Sequence, residues 1–404
     1  MPKNAKAVTT WNNQDEALAD IAKGIRKVAA KLAEQVIESK PAAEPVAESE
    51  PVPEVEPDQT STLVPIAALE FPDGQVPLGS PFYVERSPIE QDCFQTIVNP
   101  SALIRIKAPR QVGKSSLIAR VLDHAQQQGY RTVNLSFQEA DGDIFESLEG
   151  LLQWLCASVA YTLGLPDQLA NYWTGPLAKK QKCSNYLQDY IFAKVPVPLV
   201  LGMDEVDQVF QYPTIARDFF GLLRAWHEKK NDPTWQKLRL IITHSKEVYV
   251  PLDINQSPFN VGLAIELPEF TPEQVEDLAQ RHGLCLKHHL KDLMQMLGGH
   301  PYLIRVALYA LAKKRTDLES FLAVAPTQAG PYGEHLRHHL ENLVDHDALR
   351  SAMQTVVMAD GPIRIDDQAA FKLRSMGLIR VQGDTVEPLG DLYRLYFRDR
   401  LGGG

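Results

Sequence analysis

Apolar positions along this chain change period three times. Leu18, Ile21, Ile25, Val28 and Leu32 recur at alternating spacings of three and four among Glu and Lys. That spacing predicts one helix with a two-heptad seam, which needs a partner surface: the chain's own body, a docking protein or a second copy. Residues 41–58 then hold five prolines and six acidic residues without Lys or Arg. Such a stretch buries too little to order itself and reads as a semi-extended, disordered tether. From Leu63 onward, short apolar runs at 103–107, 132–137, 197–203, 238–243 and 264–267 are separated mostly by amphipathic stretches. Repeated βαβ units follow, and with them a parallel sheet carrying helices on both faces.

After Phe270 the period becomes helical. Thr271-Pro272-Glu273-Gln274 reads as a helix start, with Thr as N-cap, Pro at the first position and Gln three residues after the cap. That helix is expected to end at Gly283, a second at Gly298-Gly299, and a third to run over 301–312, forming a small lid. The remainder predicts helices over 336–344, 349–358 and 367–376, then strands over 378–381 and 385–388 about a Gly383-Asp384 turn. Three helices followed by a hairpin is the order of a winged helix.

At 404 residues the chain is long enough for two or three packed units. Its 41 Lys and Arg against 51 Asp and Glu give 41 − 51 = −10, a charge that repels polyanions and makes nucleic acid an unfavoured partner. The first 15 residues are polar, and nowhere do 18 apolar residues run together, so a cytoplasmic chain without a membrane span is expected. Cys93, Cys156, Cys183 and Cys285 lie too far apart in sequence for a zinc or redox motif and read as reduced structural thiols.

The chemistry is concentrated at Ala108-Pro109-Arg110-Gln111-Val112-Gly113-Lys114-Ser115-Ser116, between the strand at 103–107 and a helix that continues at Leu117. A bound phosphate chain needs inward backbone N–H groups, a small residue at the closest approach, a Lys for the outer phosphates and a hydroxyl for Mg²⁺. Gly113, Lys114 and Ser115 supply the last three, and Lys114 is expected to be exposed beside the phosphates. Ala108 stands at the first glycine of the P-loop pattern. Its Cβ resists positive φ, so either that position is not left-handed here or affinity is reduced.

Mg²⁺ also wants a carboxylate on a neighbouring strand. The run at 198–203 ends in Asp204-Glu205, at the carboxyl edge where open α/β sheets bind ligands. Asp204 is the candidate for the metal, with Ser115, and Glu205 the candidate base toward water.

Placing Glu directly after the strand Asp resembles the additional-strand, catalytic-glutamate class of P-loop NTPases. That resemblance implies a further strand between the two motifs, ending in a polar sensor for the γ-phosphate. Thr243, His244 and Ser245, closing the run at 238–243, are the candidates. Pro81-Phe82-Tyr83-Val84-Glu85-Arg86, Arg105-Ile106-Lys107-Ala108-Pro109-Arg110-Gln111, Asp204-Glu205-Val206-Asp207 and Gly298-Gly299-His300-Pro301-Tyr302-Leu303 together resemble the AAA-like domain of bacterial, mainly cyanobacterial, STAND-type ATPases. Ala108 is usual there. The resemblance implies that Pro301 packs near the nucleotide, that Tyr83 and Arg86 approach the adenine, and that Arg217 or Arg224 acts as a finger across a subunit interface. Trp11 to Leu32 also looks faintly like the closing helix of a TIR domain.

The expected organisation is an amphipathic helix in 1–40, a linker over 41–62, a P-loop ATPase core over 63–270, a lid over 271–330 and a winged helix over 331–404. The expected function is a STAND-like switch that binds ATP with Mg²⁺, hydrolyses it slowly to ADP, and changes shape or assembly, with a protein partner or self-association through the amino-terminal helix. The rivals are a winged-helix nucleic-acid regulator and a non-hydrolysing scaffold. From 345 to 401 there are eight Lys and Arg against nine Asp and Glu, which gives the first rival poor phosphate affinity.

Overall fold

A computed structural model describes residues 65–245 and 258–402. The seam helix and the acidic tether lie outside the described residues.

Among the described residues, five parallel strands form one sheet in the order β2-β3-β4-β1-β5, with β1 at Leu103–Lys107, β2 at Arg131–Ser136, β3 at Leu199–Asp204, β4 at Leu238–His244 and β5 at Leu263–Glu266. Each strand lies within two residues of its predicted position. β3 and β4 are buried at every residue, whereas the edge strands β2 and β5 expose part of theirs. The central strands are covered on both faces, which explains why they read as unbroken apolar runs.

Strand alternation sorts the core. Leu199, Leu201 and Met203 of β3 join one apolar cluster, while Val200 joins the cluster on the other face. The second cluster holds helix α2, after the short α1 (Ile89–Ile97); α2 (Lys114–Gln127) buries Leu117, Ile118, Val121 and Ala125 against the sheet. Gly202 permits that approach, because a Cβ there would stand 3.0 Å from Ile118 Cδ1 and 2.9 Å from Asn134 Oδ1. On the opposite face lie α3 (Leu148–Thr162) and α4 (Pro213–Glu228), with a series of short helical turns over 169–194 leading from α3 to β3.

The helical region begins with α5 (Pro272–Arg281), and its predicted cap is complete. Thr271 Oγ1 accepts the Gln274 N–H at 3.3 Å, while Gln274 Oε1 accepts the Thr271 N–H at 3.0 Å. α6 (Leu290–Leu297) ends at Gly298, and α7 (Pro301–Ala312) has the predicted bounds. After α8 (Leu318–Val324) come α9 (Gly333–Val344), α10 (Asp347–Met358) and α11 (Asp367–Ser375). The antiparallel pair β6 (Ile379–Gln382) and β7 (Thr385–Pro388) follows, with Ile363 bridging to Val386 as a third rung.

A closing helix, α12 (Asp391–Leu401), was not anticipated. It buries Leu392, Tyr393, Tyr396 and Phe397, so the last helices share one continuous apolar core with α5 to α7 and with Phe82 and Val84 of the leading segment.

Candidate functional site

Residues 108–113 cross the carboxyl edge of the sheet between β1 and α2. Positive φ falls at Gln111 (63°) and Gly113 (107°), and Ala108 is not among the positive-φ residues. The methyl of Ala108 therefore costs this loop no left-handed strain. Gly113 is demanded twice, because a Cβ there would also lie 2.9 Å from Nη2 of Arg86. That arginine is 4% exposed and donates through Nη1 to Val112 O at 2.8 Å, tying the leading segment to the loop. A second tie uses Ser116, whose Oγ accepts the Val76 N–H at 2.9 Å.

Lys114 was expected to be exposed, and the structure corrects this: it is 6% exposed. Its Nζ donates to Ala108 O at 3.0 Å and Pro109 O at 2.9 Å. A buried ammonium needs acceptors, and the loop's own carbonyls supply two. Burial pushes the Lys114 amine down to about 8, against the pull of the carboxylates of Asp207, Asp204 and Glu205.

β4 lies between β1 and β3, as the additional-strand arrangement requires, with Ile106 beside Thr243 and Met203 beside Ile242. The three sensor candidates consequently separate. Thr243 is fully buried; its hydroxyl donates to Asp204 Oδ1 and accepts the Glu205 N–H at 3.1 Å. His244 turns toward aromatic rings, its centroid 5.0 Å from that of Phe259 and 6.1 Å from that of Phe210. Ser245 lines the cavity above the P-loop, and its N–H donates to Asp207 Oδ1 at 3.1 Å.

Glu205 has φ 60°, an αL turn directly after the strand, and it lines the cavity that Asp204 sits behind. Burial first, then the neighbouring Asp204 and Asp207 carboxylates, raise the Glu205 carboxyl above its ordinary value. Asp207 is buried and had been given no role of its own; the Asp204-Glu205-Val206-Asp207 string was the available signal.

The cavity measures about 400 Å³, a size that suits a small cofactor. The P-loop, Glu205 and Ser245 form its sheet side, while Pro72 to Val76, Tyr83, Pro301, Tyr302 and Arg305 close it from the leading segment and α7. Tyr83 donates to Glu90 Oε1 at 2.7 Å, and Arg120 lies 3.4 Å above its ring. The candidate fingers stand apart from this space: Arg217 is exposed on α4, and Arg224 pairs with Glu228 at 2.7 Å in its own chain.

The C-terminal helices also touch the P-loop. Arg110 Nη1 lies 3.3 Å from His338 Nε2, and a Cβ on Gly377 would meet Pro109 Cβ at 2.9 Å. The donor set fits a phosphate chain with Mg²⁺: a lysine and glycine at a helix start, a half-buried Ser115 hydroxyl and the Asp204 carboxylate. Among the described residues no group of three or more His, Cys, Asp or Glu gathers as a metal cluster, and Mg²⁺ held with phosphates and water needs only one or two protein oxygens.

Comparison with known proteins gives a family and a fold. The model of the AAA-like domain matches residues 71–399. An uncharacterized WD repeat-containing protein of Synechocystis sp. is 27% identical over 71% of this chain, which spans only 26% of that relative's length. Among solved structures, the Walker-type ATPase of Pyrococcus abyssi superposes with a TM-score of 0.51 at 12% identity, over 78% of this chain and 96% of that one. The ORC2 protein of Aeropyrum pernix gives a TM-score of 0.45 at 17% identity, over 78% and 92%. With the P-loop fold and the family match covering most of its length, the chain belongs to the AAA-like domain family.

Proposed function

We propose that this chain is a STAND-like regulatory ATPase that couples Mg-ATP binding and slow hydrolysis to a change of shape or assembly. The observation that carries the reading is that Lys114 at the start of α2 and Glu205 at the end of β3 line one cavity, with the Thr243-linked Asp204 next to Glu205. Backbone N–H groups of 110–113 and Lys114 receive the phosphates, with Lys114 exchanging its two carbonyl partners for phosphate oxygens. Ser115 and Asp204 would hold Mg²⁺, which when bound neutralises charge between the outer phosphates. Thr243 fixes the Asp204 carboxylate, leaving Glu205 as the cavity-facing carboxylate that takes a proton from water. Its raised affinity for protons suits that role. Ser245 and Pro301 line the same cavity, which supports Ser245 as the reader of a terminal phosphate and Pro301 as a contact to the nucleotide.

The C-terminal helices and hairpin report the state of the P-loop through the contacts of Arg110 and Pro109. A nucleic-acid role for that unit is disfavoured by its eight basic against nine acidic residues between 345 and 401. The amino-terminal seam helix serves a protein partner or self-association in the cytoplasm. Purified chain should bind Mg-ATP and release phosphate slowly, and deleting residues 1–58 should lower the mass of any assembly while leaving ATP affinity unchanged. A chain that binds no Mg-ATP would overturn the reading.

A further inference from the structure

Arg305 sits on α7 one turn beyond Pro301 and lines the same cavity as the P-loop. It is 8% exposed, and among the described residues its Nε and Nη2 have no hydrogen-bond acceptor. Glu70 is the carboxylate paired with it among the described residues, but its Oε2 stands 3.7 Å from Nη2, beyond hydrogen-bond range. That oxygen is already taken by the Ser80 hydroxyl at 2.6 Å. Beneath the guanidinium lies the buried Phe82 ring, 6.0 Å from Cζ.

A guanidinium carries five N–H donors, and enclosing it with donors unmade costs free energy that acceptors on a ligand would return. The position of Arg305 decides which part of a ligand can do so. Glu70, its partner Ser80 and Phe82 all belong to the leading segment, whereas Asp204 and Glu205 stand at the end of β3. The cavity runs from the P-loop to Pro72 through Val76 and Tyr83 of the leading segment, so on the ATP reading a nucleotide anchored by its phosphates at Gly113 to Ser115 would extend its ribose and base along that lining.

We propose that Arg305 is a specificity-determining residue that donates to ribose oxygens and ring nitrogens of the bound purine nucleotide. The assignment rests on the ATP reading given above and extends it to the end of the ligand remote from hydrolysis. It differs from a structural ion pair with Glu70 and from a phosphate contact, and each makes a distinct forecast.

The experiment compares Mg-ATP with Mg-tripolyphosphate, which keeps the phosphates and lacks ribose and base, by calorimetry on wild type, Arg305→Met, Arg305→Lys and Glu70→Gln. Arg305→Met should weaken Mg-ATP about tenfold or more, the loss typical of a charged hydrogen bond, and leave tripolyphosphate unchanged. Arg305→Lys keeps the charge beside Glu70 but not the planar fork; it should recover part of the loss and serves as the test variant if Arg305→Met does not fold. Parallel losses for both ligands would overturn the proposal in favour of the phosphates. Unchanged affinities, with Arg305→Met and Glu70→Gln lowering the melting temperature alike, would overturn it in favour of the ion pair. A wild type that binds tripolyphosphate and ATP equally would overturn the proposal alone, and a wild type that binds neither would overturn the ATP reading beneath it.

Discussion

His335 on α9 touches Gln111 at the apex of the P-loop, Nδ1 to Oε1 at 3.1 Å, across 224 positions of sequence. Its other nitrogen lies 2.8 Å from the Tyr393 hydroxyl on α12. One tautomer satisfies both contacts: Nδ1–H donates to Gln111, and Nε2 accepts from Tyr393. Burial and the neighbouring His338 push His335 down to about 4, so the ring is neutral near pH 7 and that tautomer persists. The relay holds a residue whose φ is positive, 63°, without being glycine.

His335→Ala removes both hydrogen bonds and should cost about 1–2 kcal/mol of stability. Once freed from α9, the P-loop should release ADP several-fold faster. Stopped-flow displacement of a fluorescent ADP analogue reads this rate directly. An unchanged rate in a folded variant would show that α9 does not act on the loop.

Glu205→Gln tests the division of labour at the end of β3. The amide keeps the size of the carboxylate and cannot take a proton from water, so phosphate release should fall by about a hundredfold or more. ATP affinity should hold, because Asp204 and its Thr243 hydrogen bond are untouched. Equal release rates would remove Glu205 as the base, and joint loss of affinity and release would place it in the metal shell.

The Lys114 amine gives a pH test. Burial sets it at about 8 in the free protein, and phosphate oxygens would raise it in the complex. Above pH 8 the free protein loses the proton that the complex retains, so binding takes up a proton and ATP affinity should fall as pH rises. The limiting slope is about tenfold per pH unit. For folding the sign follows from the same depression: the unfolded chain holds the proton up to its ordinary value near 10.5. The burial penalty is therefore present below pH 8 and fades between pH 8 and about 10.5, stability rising with pH across that window. Calorimetry in buffers of different ionisation enthalpy counts the protons taken up on binding. No uptake at pH 9 would contradict a charged Lys114 in the complex.

Much of this was written in local sequence. The unbroken apolar runs marked β3 and β4 because both faces are covered, and Thr271 with Gln274 marked α5 because a capping box is complete within four residues. Gly113-Lys114-Ser115 and Asp204-Glu205 marked the candidate site because each motif is contiguous in sequence and sits at a strand end or helix start. What escaped depends on distant partners. The burial of Lys114 comes from its own loop folding back, and Arg305 gains meaning only where α7 meets Glu70 and Phe82. α12 follows the hairpin with paired apolar residues at 392–393 and 396–397 among charges, a helical spacing beyond the last expected strand at 385–388.

The central claim is that the P-loop of this chain binds Mg-ATP through Lys114. Isothermal titration of Mg-ATP into wild type and Lys114→Ala tests it most directly, with circular dichroism melts to establish that the variant is folded. Saturable binding by the wild type, reduced at least about a hundredfold in the folded variant, is the predicted result. Equal affinity in the two proteins would contradict the claim.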